Sequence, residues 1–244
     1  MSWHLGRMCG FDLETTGVSV EDDRIVTACV VRCGGHHPTA SATWLADPGI
    51  DIPAEAAAVH GITTEQARAD GRPAAEVVEQ VVAALAQVVR DGIPVVAMNA
   101  SFDLTMLDRE ARRHGVQPLT DLVGEQLRVI DPRVLDKHVD PYRKGGRKLD
   151  DLARHYQVAL DGAHSADADA IAACRVAWRI ANKRADIGGA SLAELHRWQI
   201  EWARVQAEGL RAYFARTPGK EEWADDVRTE WPFIPQQRTE DGDR

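Results

Sequence analysis

The chain has 244 residues, of which 44% are hydrophobic and 27% charged, and a net charge of −9. This balance predicts a globular protein of one ordinary domain plus an appendage, and it excludes a fibrous or disordered chain. The acidic excess argues against a protein that coats nucleic acid with Lys and Arg, but not against an enzyme that meets phosphate through carboxylate-bound cations.

In chain order, Met8 to Leu13 reads as a short buried strand and Arg24 to Arg32 as a second, with Gly17 to Asp23 a polar, hairpin-like connection. Pro38 to Ala46 is a third strand, followed by the turn chemistry of Asp47-Pro48-Gly49. Thr63 to Ala69 reads as a short helix with Thr64 as its cap. Val77, Val78, Val81, Leu85, Val88 and Val89 recur at helical spacing and predict a helix over Ala74 to Arg90. Pro94 to Met98 is a short buried strand, and Phe102 to His114 a helix closed by Gly115. A last strand, Arg128 to Ile130, ends at Asp131-Pro132. Helices follow at Pro132 to His138, Lys148 to Tyr156 and Ser165 to Lys183. Early strands side by side and later ones alternating with helices predict an α/β fold, a mixed sheet flanked by helices.

The composition shifts near Asp186, giving an expected division into 1–185 and a helical extension, 186–244. Ser191 to Arg216 carries a stripe of Leu192, Leu195, Trp198, Trp202, Val205, Leu210 and Phe214. An acidic tail with Trp223 and Trp231-Pro232 follows. No apolar run approaches the ~20 residues of a membrane span, and Met1 to Arg7 lack a secretory apolar stretch. Cys9, Cys29, Cys33 and Cys174 form no Cys-x-x-Cys pair, and they read as small core residues. A cytoplasmic protein with no membrane role is expected.

The informative residues are acids at element ends. Asp12 and Glu14 lie two apart at the end of the first strand, so alternation puts both on one face. Paired carboxylates on a central strand repel unless a cation is shared. Asp103 begins the helix after the fourth strand, where an acid also suits the helix dipole. Asp169 sits near the start of a later helix, five residues after His164. Asp167 faces away from Asp169 by about 200° of helix rotation, so the two cannot both be ligands. An oxygen-only set of four carboxylates suits Mg²⁺ or Mn²⁺. With a histidine beside them, the chemistry is two-metal hydrolysis of a phosphodiester.

Phe11-Asp12-Leu13-Glu14-Thr15-Thr16-Gly17, Asn99-Ala100-Ser101-Phe102-Asp103 and His164-Ser165-Ala166-Asp167-Ala168-Asp169 resemble the three motifs of the DEDDh exonucleases. That family includes the proofreading epsilon subunit of bacterial DNA polymerase III, ribonuclease T and oligoribonuclease. Val59-His60-Gly61-Ile62-Thr63 and Lys148-Leu149-Asp150-Asp151-Leu152-Ala153, leading to Tyr156, match further segments, and the resemblance spans roughly 8–184. Met98 departs from it, since many relatives carry a histidine there. The resemblance implies a ribonuclease-H-like fold and 3′→5′ removal of nucleoside 5′-monophosphates. It implies that Asp12, Glu14 and Asp169 hold a first metal, that Asp12 bridges to a second, and that Asp103 acts on the second largely through water. His164 is the implied general base, with an ordinary pKa near ~6.5 suited to the task.

For the substrate, Arg143 and Lys144 lie in a basic, mobile-looking loop, Tyr142 to Lys148, placed to meet phosphates. Arg109, Arg112 and Arg113 read as a solvated helix face. His60, Ile62 and Phe102 are candidates to shape a pocket for the terminal base by stacking, though Phe102 equally suits the core. Thr15 and Asn99, inside the first and second motifs, join them as expected substrate contacts. The expected substrate is a single-stranded or frayed DNA 3′ end, with RNA as the alternative. The C-terminal helix suits packing on the nuclease domain, self-association or docking to a polymerase. A polymerase-associated subunit working through that docking, and a small-molecule phosphohydrolase, are the other readings.

Overall fold

The computed structural model describes residues 2–160 and 166–236. Strands β1 (Arg7–Thr15), β2 (Ile25–Gly34) and β3 (Ala40–Asp47) form an antiparallel meander. The β1–β2 turn is pinned by Asp23, whose carboxylate accepts from the Thr16 hydroxyl and the Ser19 N–H, each at 2.8 Å. Short strands β4 (Arg72–Pro73), β5 (Val95–Val96) and β6 (Val129–Ile130) complete a mixed sheet. Its order is β4-β3-β2-β1-β5-β6, with β5 parallel to β1 and β6 parallel to β5. This is the α/β sheet expected from sequence.

The helices are α1 (Ala54–His60), α2 (Thr64–Asp70), α3 (Ala74–Arg90), α4 (Ala100–Arg113) and α5 (Leu119–Val123). Then come α6 (Pro132–Val139), α7 (Leu149–Tyr156), α8 (Ala166–Lys183), α9 (Ala185–Gly189) and α10 (Leu192–Ala215). The valine-rich pattern predicted α3 to the residue. Helices α1, α5 and α9 have only 7, 5 and 5 residues and escaped the sequence reading, because so few turns cannot display a period. The cap of α2 is Thr63, not Thr64. The Thr63 hydroxyl accepts from the Gln66 N–H at 3.2 Å, while that of Thr64 accepts from the Ile52 N–H at 2.8 Å.

Alternation along β1 divides the core. Cys9, Phe11 and Leu13 pack with the apolar faces of α3 and α4. Met8 points to the opposite face, where α7 and α8 supply Leu152, Tyr156, Ala170, Ala173 and Val176. All four cysteines are buried and free, as expected. The acids on β1 therefore emerge on the α8 side.

The C-terminal residues lie on this framework. In α10 the buried Gln199 completes the outer edge of β6: its carbonyl accepts from Asp131 N–H at 2.8 Å and its amide donates to Val129 O at 3.0 Å. Trp202 stacks on His138 with ring centroids 3.6 Å apart. Beyond α10 the chain returns to α4. There the Ile234 N–H donates to Thr105 Oγ1 and Arg109 donates to Ile234 O, both at 2.9 Å. Among the described residues, no helix is long and apolar enough to cross a membrane.

Candidate active site

Three elements deliver the predicted acids. β1 presents Asp12 and Glu14 on one face. Asp169 comes from the first turn of α8, and Asp103 from the first turn of α4. The approach of α8 depends on Gly10, which shares the face of Asp12 and Glu14. A Cβ at Gly10 would lie 2.4 Å from Ala170 O, so only glycine lets the helix backbone come this near. On the other edge of β1, Cys9 N–H still reaches Pro94 O at 3.0 Å. Four residues on, β5 has ended, and Leu13 N–H instead meets Asp103 Oδ1 at 3.2 Å. Asp103 is thus held where a neighbouring strand would otherwise continue.

One carboxylate oxygen each from Asp12, Glu14 and Asp169 lies within 4.8 Å of the others, on partly buried side chains. Burial pushes Asp12 well above the usual carboxylate range, and the charges of Asp103, Glu14 and Asp169 push it further. Glu14 is pushed up to about 7, first by burial and then by Asp169. Burial also raises the buried Asp103, against the opposing effect of the Leu13 N–H and its own backbone N–H. No Lys or Arg pairs with Asp12, Glu14 or Asp103 among the described residues, although arginines pair acids elsewhere. Crowded oxygen donors that repel one another fit a hard divalent cation. The histidine expected as the base, His164, lies outside the described residues.

Beside Glu14 opens a cleft of about 420 Å³ whose walls include Thr27, Trp44, His60, Ile62 and Asp167. His60 and Ile62 were expected at such a pocket; Trp44 was not, because the pattern of β3 said nothing of which face it would expose. The His60 Nδ1 accepts from Ile62 N–H at 3.1 Å, while its buried Nε2 has no partner at hydrogen-bonding geometry. Burial holds His60 below the ordinary histidine pKa, and the Thr15 carbonyl acts the other way.

The remaining predicted contacts lie elsewhere. Thr15 Oγ1 donates to Gly17 O at 2.6 Å. Phe102 is half-buried against the core. Asn99, in the left-handed conformation at φ 64°, accepts from Arg133 Nη1 at 2.7 Å. The 142–148 loop is anchored, against the expectation of mobility. Arg143 donates to the fully buried Asp136 at 2.9 Å, and Arg147 and Tyr156 also bond that carboxylate. Lys144 stays exposed. Of the arginines expected on a solvated face, Arg112 and Arg113 are exposed, each bonding an acid of its own helix, but Arg109 is 5% exposed between Glu21 and Asp108.

Sequence reading missed Asp131 as more than a strand end. Its buried carboxylate accepts from Asn99 and Ala100 N–H at 3.2 and 3.0 Å, fixing the start of α4. It also accepts from Arg133 N–H at 2.8 Å at the start of α6, and from Trp231 Nε1 at 3.4 Å. The Asp-Pro dipeptide was the available signal, since Pro favours the first helical position and Asp the cap before it.

Fold and acidic cluster together define a nuclease-type hydrolase. The family described as Exonuclease, of the RNase T type, matches residues 9–177, and the chain belongs to this family of DEDD 3′→5′ exonucleases, which generally use divalent metals. Among curated relatives, DNA polymerase III PolC-type of Lacticaseibacillus paracasei is 31% identical over 160 residues, covering 66% of this chain and 10% of that protein. The PolC-type polymerase of Caldanaerobacter subterraneus is 27% identical over 208 residues, 85% of this chain and 14% of that one. The chain therefore spans about a tenth of the length of these relatives. Among solved structures, E. coli exonuclease I in complex with a dA16 oligonucleotide superposes with a TM-score of 0.61 at 17% identity, covering 85% of this chain and 45% of that one. Exonuclease I of Methylocaldum szegediense gives 0.60 at 18% identity, with 86% and 46% covered. At these identities the likeness is one of fold.

Proposed function

We propose that the chain removes nucleoside 5′-monophosphates from the 3′ end of single-stranded or frayed DNA, using residues 1–185 as the exonuclease domain and 186–244 as an extension. The single observation that carries this is the convergence of Asp12, Glu14 and Asp169 within 4.8 Å, with Asp103 bonded to the same strand. Two Mg²⁺ or Mn²⁺ ions, when bound, would supply Lewis acidity that generates the attacking hydroxide and stabilises the leaving 3′ oxygen. Asp12, Glu14 and Asp169 would hold one ion, Asp12 would be shared with the other, and Asp103 would serve the second. His164 takes the proton of the attacking water, the role its place in the third motif implies. The His60–Ile62 cleft beside Glu14 receives the terminal nucleotide, and Lys144 is an exposed loop cation available to a phosphate.

DNA is favoured because the relatives are polymerases of DNA and several of the exonuclease I structures are complexes with deoxyoligonucleotides. The test is a 5′-labelled single strand incubated with Mg²⁺ or Mn²⁺, with EDTA and Asp12→Ala as controls. A ladder shortening from the 3′ end, absent from both controls, is expected. A matched RNA strand decides the sugar. No shortening of either strand with either ion would sink the proposal.

A further inference from the structure

A second cleft, of about 450 Å³, lies between α6, α10 and the C-terminal segment, and its walls include Asn99, Ser101, Arg133, Lys137, Phe214 and Trp223. Arg133 and Lys137 are four residues apart on α6, so two like charges share one helix face and repel. Elsewhere the protein sets arginines against carboxylates, as in Arg112 with Asp108, Arg143 with Asp136 and Arg204 with Glu201. Arg133 has instead a neutral acceptor, Asn99 Oδ1, at 2.7 Å. Among the described residues neither Arg133 nor Lys137 forms an ion pair. Lys137 is also partly buried, and its ammonium is pushed below the usual lysine range by that burial and then by Arg133 and Arg147.

Asp131 and Asp136 act on Lys137 in the opposite sense, but less than its burial and the two arginines. The Asp131 carboxylate is occupied by backbone N–H groups of α4 and α6 and by Trp231. Asp226 and Glu230 line the same cleft from the C-terminal segment, with Arg228 beside them, and neither is among the charges acting on Lys137. Two repelling cations with no ion pair of their own suit an anion from outside. The cleft reaches Asn99 and Ser101 at the start of α4, and the same helix turn carries Asp103 to the carboxylate cluster. The start of α4 thus borders both this cleft and the carboxylate cluster. The partly exposed Trp223 adds an aromatic wall of the kind that bases stack on.

We propose that this cleft is a second nucleic-acid subsite, in which Arg133 and Lys137 hold a backbone phosphate of the strand whose 3′ end occupies the carboxylate site. It rests on the exonuclease assignment above, and it gives the C-terminal segment a part in holding substrate.

The test measures binding of a fluorescently labelled single-stranded DNA to the full chain in EDTA across a salt series. Each phosphate contact adds about 0.7 to the slope of log affinity against log salt for single strands, so Arg133→Gln/Lys137→Gln should lower that slope by about 1.4. Lys137→Gln alone should lower it by about 0.7, and Lys137→Arg should keep it. Thermal melting of each variant checks that the fold is intact. An unchanged slope in a folded double variant overturns the proposal. So does inorganic phosphate or a nucleoside monophosphate binding the wild type through these residues while strand affinity stays the same in the variants. Restoring Mg²⁺ to the wild type separates the two assignments: failure to shorten the strand removes the exonuclease, whereas the slope reports on the cleft alone.

Discussion

Two sets of acids withdrawn from solvent in this molecule are treated in opposite ways. Asp136, fully enclosed beneath the 142–148 loop, receives Arg143, Arg147 and Tyr156. Asp108 and Glu110 on α4 likewise receive arginines from the same helix. Asp12, Glu14 and Asp103 are gathered at the end of β1 with backbone N–H groups and, among the described residues, no Lys or Arg pairing them. Where charge is structural, the chain carries its own counter-ion. At the end of β1 the described residues supply no such counter-ion, and a cation from solution fits. This difference separates a metal site from an ordinary acidic interior.

The contrast breaks most visibly at Asp12. Asp12→Asn should lower the nuclease rate on the order of a thousandfold, about 4 kcal/mol of transition-state stabilisation. In the absence of metal the same change should leave the fold as stable as the wild type or more so, because a repelling buried charge is gone. Asp136→Asn should do the reverse: unfolding in urea should show a loss of about 3 kcal/mol, since two arginines and a tyrosine lose their common partner. If Asp12→Asn destabilised the metal-free chain as strongly as Asp136→Asn, the two sets would not differ in kind.

A third change acts on geometry. Gly10→Ala would place a methyl group against Ala170 O, and the helix backbone has to move. A stability loss of about 1–3 kcal/mol is expected. Titration should also show weaker Mn²⁺ binding, because Asp169 rides on α8. Unaltered Mn²⁺ affinity in Gly10→Ala would mean that the approach of α8 does not set the cluster.

Much of this was legible in the sequence. The α3 period, the Asp-x-Glu alternation and the three ordered motifs carry the sheet, the main helices and the identity of the acids. Gly10 was not legible, because a glycine in a strand does not announce which backbone approaches it. The arginines misled for a related reason. Local charge in an acidic chain reads as exposed, yet Arg109 and Arg143 meet acids from other parts of the chain. The pair at Arg133 and Lys137 shows at the sequence level only as one cationic turn; the cleft in front of it needs α10 and the C-terminal segment folded back.

The smallest effect concerns pH and separates the two sets without substrate. Glu14 is pushed up to about 7 in the folded chain from an ordinary 4.5, by burial and then by Asp169. Between those values the folded chain holds a proton that the unfolded chain has released, so raising pH through that window lowers stability. The effect is complete above about pH 7, opposite in sign to a salt-bridged carboxylate. Since Glu14 keeps some contact with water, its share is discounted to about 1 kcal/mol. Glu14→Gln carries no such proton, so in EDTA its stability relative to wild type should rise from pH 5 to pH 8 by about 1 kcal/mol. His4, His60, His138 and His196, all held below the ordinary histidine range mainly by burial, destabilise the fold as pH falls. They are present in both proteins and cancel in the difference. Saturating Mn²⁺ should then invert the order at pH 8 and make the wild type the more stable, because the charge that costs stability without metal is the one that binds it. A flat difference in EDTA would show that Glu14 is already compensated within the fold and belongs with Asp136.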